Sequence, residues 1–175
     1  MRIVLLALVV SVTTAIVGTI ACGGDEKLTL EEFFQQSDAI YADAGMRALA
    51  LTREFNGAQD EDIQTYSVFV RKNAVLFAEF IDELETLNPP SEAEDAFDEY
   101  LTAGSEFAES QEGLADLFGE AESFTELGQL SRGSEAASAF SVSRVRYQDA
   151  CRSLQEIADV NGIVADLECS EVLSV

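Results

Sequence analysis

The sequence predicts an all-α fold, an antiparallel up-down four-helix bundle whose C-terminal tail is joined to the last helix by a disulfide. Apolar side chains recur every three or four positions along four long segments of the 175-residue chain. Capping and stop signals separate these segments by mostly short connections, as in an antiparallel bundle. No segment shows the apolar and polar alternation with hairpin turns that strands require. The chain is 47% apolar, so a single domain can bury a sufficient core.

The first predicted helix begins after Thr29, where Thr29-Leu30-Glu31-Glu32 forms a capping box and Leu28 packs on Phe33. It ends at Asn56-Gly57. Ser37 fills the one gap in its apolar face, which otherwise consists of Leu30, Phe34, Tyr41, Ala44, Ala48, Leu51 and Phe55.

The second predicted helix extends from about Asp62 to Leu87 and ends before Pro89-Pro90, because a residue that precedes proline avoids the helical region. Asn73 faces inward among Tyr66, Val70, Phe77, Phe80, Leu84 and Leu87. The third predicted helix begins at a second capping box, Ser91-Glu92-Ala93-Glu94, and continues to about Phe118. Gly104 and Gly113 each weaken it by about 1 kcal/mol relative to alanine and allow close packing or a bend.

Residues 119–135 have the least regular pattern. Ser123-Phe124-Thr125-Glu126 offers a cap for a short helix through Leu130, but the structure of this region stays open at this point. The last long helix extends from about Ser134 to Val160 and ends at Asn161-Gly162. Its apolar face consists of Phe140, Tyr147, Cys151, Leu154 and Ile157.

An apolar run from Ile3 to Ile20 follows Arg2 and ends in Thr19-Ile20-Ala21-Cys22. This run resembles a bacterial lipoprotein signal peptide with its lipobox, although Thr19 stands where leucine is usual. The resemblance implies a signal peptide at 1–21, a lipidated Cys22 with a short tether at 22–28, and a helical domain at 29–175. It also implies a protein held in the bacterial cell membrane or outer membrane through acylated Cys22, facing outside the cytoplasm. A cleaved secretory signal and an uncleaved transmembrane helix are the alternatives.

If Cys22 is lipidated, Cys151 and Cys169 remain as an even pair in an oxidising compartment. Cys151 lies roughly 13–14 Å from the predicted end of its helix. The segment that returns to Cys169 spans up to about 23 Å, so a disulfide is geometrically easy. Its loop closure contributes roughly 3 kcal/mol. Two free buried thiols and metal binding by the pair are the alternatives.

Two further stretches resemble uncharacterised small helical bacterial lipoproteins. One is the run from Cys151 to Asp159 with Asn161-Gly162 and the closing Cys169, and the other is the run from Pro89 to Asp95. This resemblance implies the helical fold and the cysteine pair, and it carries no activity.

The formal charge of −23 excludes unaided binding to nucleic-acid phosphates. The chain has no histidine, which excludes Ser-His-Asp catalysis, histidine-ligated zinc or haem, and the Glu-x-x-His motif of di-iron bundles. No nucleophile elbow or phosphate-binding loop occurs. We therefore expect neither enzymatic activity nor a cofactor.

The negative charge is concentrated, because sixteen acidic residues and no basic residue lie between Lys72 and Arg132. An up-down topology places the junction of the second and third helices near Thr29 and the anchor. There Glu83, Glu85, Glu92, Glu94 and Asp95 could form a divalent-cation cluster that bridges to anionic lipid or wall polymer. The alternative is a solvated acidic surface that aids solubility.

The expected function is a non-catalytic structural or interaction role in the cell envelope, with another envelope protein or a polymer as partner. The alternative is a module that binds a divalent cation or a small molecule, the latter in a pocket lined by Ala44, Ala48, Gly104 and Ala108. The helical stripes also permit a homodimer.

Overall fold

The computed structural model describes residues 27–57, 62–165, 167 and 169. Within them the fold is all-α, as predicted, with no strands. Five helices occur in these residues, so a strict four-helix bundle is not confirmed. They are α1 (Leu30–Gly57), α2 (Ile63–Glu85), α3 (Glu94–Glu120), α4 (Phe124–Leu130) and α5 (Glu135–Val160). The additional helix, α4, forms because the hydroxyl oxygen of Ser123 accepts the backbone N–H of Glu126 at 3.2 Å, which caps its start.

The central helix is α3, which packs on both α2 and α5, while α1 packs on α2 and α4 contacts α3. Side-chain contacts give the relative directions of the long helices. Phe55 near the end of α1 stacks on Phe69 near the start of α2, with ring centroids 4.4 Å apart. Tyr66 in the first turn of α2 contacts Phe118 in the last turn of α3, with ring centroids 4.9 Å apart. Tyr100 on α3 contacts Tyr147 at the middle of α5, while the later Ser110 on α3 is hydrogen-bonded to the earlier Ser143 on α5. Successive long helices in the described chain therefore run in opposite directions.

Most predicted helix starts are confirmed by hydrogen bonds. Thr29 and Glu32 form the reciprocal capping box, since the Thr29 N–H donates to the Glu32 carboxylate at 3.0 Å and the Glu32 N–H donates to the Thr29 hydroxyl at 3.3 Å. Asp62 caps α2 by accepting the Thr65 N–H at 2.7 Å. These carboxylates accept hydrogen bonds in their charged form, which lowers the pKa of both Glu32 and Asp62.

The predicted capping box at Ser91 is wrong. Helix α3 starts at Glu94 after an N-cap, Ala93, that makes no side-chain hydrogen bond. The Ala93 N–H instead donates to the Pro90 carbonyl at 3.0 Å. This turn places Ala93 fully in the core, and burial of its side chain decides where the helix begins.

The molecule has two ends, which we name by their positions in the chain. The proximal end contains the start of α1, the α2–α3 connection at 86–93 and the end of α5. The distal end contains the end of α1, the start of α2, the end of α3, α4 and the start of α5. The main core begins at the proximal end and takes side chains from all four long helices and from Leu167. The smaller distal core takes its side chains from α1, α2 and α3, namely Phe69, Val70 and Ala115 with Leu51, Phe55 and Tyr66.

Among the described residues, no helix combines the length and the apolarity needed to cross a bilayer.

Candidate functional site

The first described residues, Lys27 and Leu28, contact the α2–α3 connection. The Leu28 N–H donates to the Asn88 carbonyl at 3.0 Å. The Lys27 ammonium group donates to the Ser91 hydroxyl at 3.2 Å and forms an ion pair with Glu94. The corner between the second and third predicted helices therefore lies beside the start of the first, as the up-down topology predicted. The predicted lipidation site, Cys22, lies outside the described residues.

The predicted cysteine pair is present at disulfide distance. The sulfur atoms of Cys151 and Cys169 are 2.02 Å apart and their Cα atoms 5.5 Å apart. The Gln155 side chain holds the same tail, since its amide donates to the Ala165 carbonyl at 2.8 Å and accepts the Leu167 N–H at 2.9 Å. Leu167 is buried in the main core as a result. The tail is thus fixed against α5 by covalent, polar and apolar contacts.

The predicted cation cluster is not assembled, because no group of three or more potential metal ligands occurs within the described residues. Residues two apart on a helix point to different sides, which separates Glu83 from Glu85. Glu83 instead accepts a hydrogen bond from Arg47 on α1 at 2.7 Å. Glu94 pairs with Lys27. The remaining three acids, Glu85, Glu92 and Asp95, are exposed to solvent.

Three tyrosine hydroxyls meet in the core. The Tyr100 hydroxyl on α3 is hydrogen-bonded to Tyr41 on α1 and to Tyr147 on α5. Tyr100 and Tyr147 are buried and Tyr41 is half-buried. Loss of water around the hydroxyls disfavours the phenolate, which raises the pKa of all three side chains above the ordinary value of about 10. The three groups therefore stay protonated at neutral pH and connect three helices as neutral donors and acceptors.

The predicted small-molecule pocket is not formed at Gly104. A Cβ atom at this position would lie 2.3 Å from the terminal methyl of Ile81, so the α2 side chain already fills the space. Ala108 borders a separate cleft of about 210 Å³ between α2 and α3, which Ala44 and Ala48 do not line. Gly104 therefore serves close helix packing, the other role that the sequence allowed.

A larger groove of about 490 Å³ lies between α3 and α5. Small side chains line it because this part of α5 carries alanine and serine. The Ser110 and Ser143 hydroxyls are hydrogen-bonded to each other at 2.7 Å and are both buried. A Cβ atom on Gly113 would lie 3.9 Å from the Cβ of Ala136, an ordinary contact distance. The glycine is therefore not required for helix packing here, and its missing methyl group leaves the groove wider.

The rim of the groove carries both charged and apolar side chains. Arg146 bonds to Glu99 at 2.9 Å and to Glu106, and these hydrogen bonds raise the pKa of its guanidinium group. Glu109 and Val142 complete the rim, and 67% of the Val142 side chain is exposed. The arrangement suits a ligand or chain segment with both apolar and hydrogen-bonding groups.

Comparison of the chain with protein-family models, curated proteins and solved structures finds no match. The sequence patterns predicted neither the groove nor the tyrosine trio. Tyr41 and Tyr147 lie on the predicted inward faces of their helices, which is the signal that could have suggested the trio. Their meeting depends on the register between helices, as does the opening of the groove at Gly113.

Proposed function

We propose that this chain is a lipid-anchored lipoprotein of the bacterial cell envelope with a non-catalytic structural or interaction role. The Thr19–Cys22 run supports the anchor, and each buried CH₂ group of the attached lipid would contribute about 0.8 kcal/mol to membrane binding. The protein would be held in the cell membrane or the outer membrane and face outside the cytoplasm. Its four long helices would act as an up-down bundle, with α4 as part of the α3–α5 connection.

The α3–α5 groove is the observation that carries the interaction role. Its small lining residues, among them Gly113, Ala136 and Ala139, allow the backbone of a partner to approach closely. Val142 offers apolar contact area at the rim, while Glu109 selects for a basic or hydrogen-bonding partner. We assign this groove to a segment of another envelope protein.

The anchor is tested by growth with labelled palmitate. The wild-type chain is expected to take up the label and to sediment with membranes. The Cys22→Ala variant is expected to lose both properties, because it lacks the thiol that is acylated. Label that persists in this variant would overturn the anchor.

The groove is tested by site-specific photocrosslinking in native membranes. A photoreactive side chain at Val142 is expected to yield one adduct with an envelope protein. The matched control is Val68 on α2, which is 55% exposed but does not line the groove. The same adducts from both positions, or none from Val142, would contradict the assignment. An adduct of twice the chain mass would identify a homodimer in place of a second protein.

A small-molecule ligand is the second candidate for the same groove. Its volume of about 490 Å³ falls within the range of roughly 300–1,000 Å³ that is typical of ligand pockets. Native mass spectrometry of the purified protein distinguishes the candidates. A bound small molecule that disappears in a Gly113→Leu variant, with no crosslinked protein at Val142, would favour this alternative.

A further inference from the structure

The proximal end, which also holds the first described residues, exposes two apolar side chains. Val160, the last residue of α5, is 78% exposed, and Val164 is 99% exposed. We propose that residues 160–164 form a second membrane contact, in which Val160 and Val164 lie against the lipid surface next to the anchor. This inference rests on the proposed lipidation of Cys22.

The packing of the helices places these valines at the anchored end. Tyr147 and Arg146 on α5 contact Tyr100 and Glu99 near the start of α3, so α5 continues from there toward the α2–α3 connection. Leu28 is hydrogen-bonded to that same connection. The end of α5 and the start of the described chain therefore lie at one end of the molecule.

The length of the tether keeps this end close to the bilayer. Six residue steps separate Cys22 from Leu28, and an extended chain covers at most about 3.6 Å per residue, or roughly 20 Å in all. The 27 residues of α3 span about 40 Å at 1.5 Å per residue. The proximal end is thus held within a tether length of the lipid surface, a restriction that does not apply to the distal end.

The 160–164 segment is held in place, which makes the exposure of its valines a fixed property of the fold. Gly162 turns the chain with φ of +69°, a conformation that glycine adopts without strain. The Ile163 N–H then donates to the Ala158 carbonyl at 2.9 Å. Ile163 and Ala165 pack on the core, while Val164 between them points outward. The Cys151–Cys169 pair holds Cys169, and Gln155 holds Ala165 and Leu167.

The contact that this surface supports is apolar. Lys27 is already paired with Glu94, and Asp159 beside Val160 is exposed. The described residues of this end therefore form no free basic cluster that would attract anionic headgroups. Transfer of valine side chains from water into the interfacial region is favourable without such attraction. The contact should therefore form on zwitterionic lipid and persist at high salt.

The absence of tryptophan from the chain permits a direct test with single tryptophan substitutions. Val164→Trp and Val160→Trp are compared with Val142→Trp. Val142 is also exposed, but it lies 18 residues before Val160 in α5, about 27 Å along the helix. Each full-length, acylated variant is reconstituted into phosphatidylcholine vesicles that carry brominated acyl chains. The tryptophans at 164 and 160 are expected to shift to shorter emission wavelength and to lose most of their fluorescence. The tryptophan at 142 is expected to change little.

Flotation of the same vesicles separates this inference from the anchor on which it rests. Protein that floats but shows equal quenching at positions 142 and 164, or no quenching at either, would overturn the membrane contact and leave the anchor intact. Protein that does not float would overturn both. Hydrogen exchange on the wild-type chain needs no substitution, and it is expected to show slower exchange at 161–165 in vesicles than in detergent. Equal exchange in the two media would contradict the contact.

Discussion

The proximal and distal ends are made by the same long helices but are held together differently. At the proximal end, aromatic side chains from α1, α2, α3 and α5 share one core, and the tail covers it. At the distal end the smaller core excludes α5, which rests on α3 through contacts such as Ser110 with Ser143. The difference shows that a helix with small side chains along half its length can leave an open groove while its other half is fully packed.

The largest expected effect comes from removing an aromatic ring at the proximal end. Phe97 is 1% exposed, and its ring centroid lies 4.9 Å from that of Phe33. Phe97→Ala should lower the free energy of unfolding by about 3–5 kcal/mol, because the rigid surroundings cannot close the cavity. Phe69→Ala in the distal core should lower it less, because its neighbours Phe55 and Tyr66 are half-buried and can relax. Urea unfolding of both variants measures the two decreases in the free energy of unfolding. Equal decreases would remove the distinction between the two ends.

The next effect is that of the cysteine pair. Cys169→Ser should lower the free energy of unfolding by about 2–4 kcal/mol, because the 18-residue separation between the bonded cysteines is no longer closed in the unfolded chain. Thermal melting with and without reductant measures the effect. The reductant should lower the melting temperature of the wild type and leave the variant unchanged. A variant as stable as the oxidised wild type would show that the tail is held by Gln155 and Leu167 alone.

The tyrosine trio gives a smaller effect with a distinctive pH dependence. Tyr100→Phe removes the hydroxyl that joins Tyr41 to Tyr147. A buried hydroxyl that loses its partner costs about 1–3 kcal/mol, and urea unfolding at neutral pH measures the loss. Tyr66→Phe is the matched control, because Tyr66 belongs to the distal core and not to the trio. An equal loss in the control would indicate that the trio has no special role.

The stability of the wild type should also fall in alkali. Burial raises the folded-state pKa of Tyr41, Tyr100 and Tyr147, so their contribution is fully present below the unfolded pKa of about 10. It is lost as pH rises further, because the unfolded chain releases protons that the folded chain retains. Ultraviolet titration should show the folded protein ionising these three tyrosines only as it unfolds. Reversible phenolate formation by all four tyrosines in the folded state would contradict this.

The smallest effects come from the two glycines of α3, and they should have opposite signs. Gly104→Ala forces a methyl group against the terminal methyl of the buried Ile81 side chain. Overpacking costs typically 1–3 kcal/mol, and a gain of about 1 kcal/mol in helix propensity offsets part of it, so the net destabilisation should be small. Gly113→Ala meets only an ordinary contact, so it should stabilise the protein by up to about 1 kcal/mol. Urea unfolding of both variants measures the two changes in the free energy of unfolding. Destabilisation by Gly113→Ala would show that the distal packing of α5 is tighter than the groove implies.

Local signals in the sequence predicted the described helix ends well where a side chain bonds to nearby backbone. The capping box at Thr29, the helix start near Asp62, which proves to be an Asp62 cap, and the stop at Asn161-Gly162 all involve groups within a few residues of each other. The prediction of a capping box at Ser91 was wrong, because the burial of Ala93, a tertiary effect, outweighs the local cap. The predicted cation cluster is not assembled, because proximity in sequence does not bring Glu83 and Glu85 to the same side of a helix.

The sequence by itself determined the all-α fold, the inward faces, the cysteine pair and the placement of the α2–α3 corner beside the start of α1. These follow from periodicity, capping and chain length, which depend on short stretches of the chain. Only the tertiary structure decided that Tyr41, Tyr100 and Tyr147 meet, that Gly104 is filled while Gly113 is open, and that Val164 points outward. Each of these depends on the register of elements far apart in the chain, because a shift of one residue turns a helical side chain by about 100°.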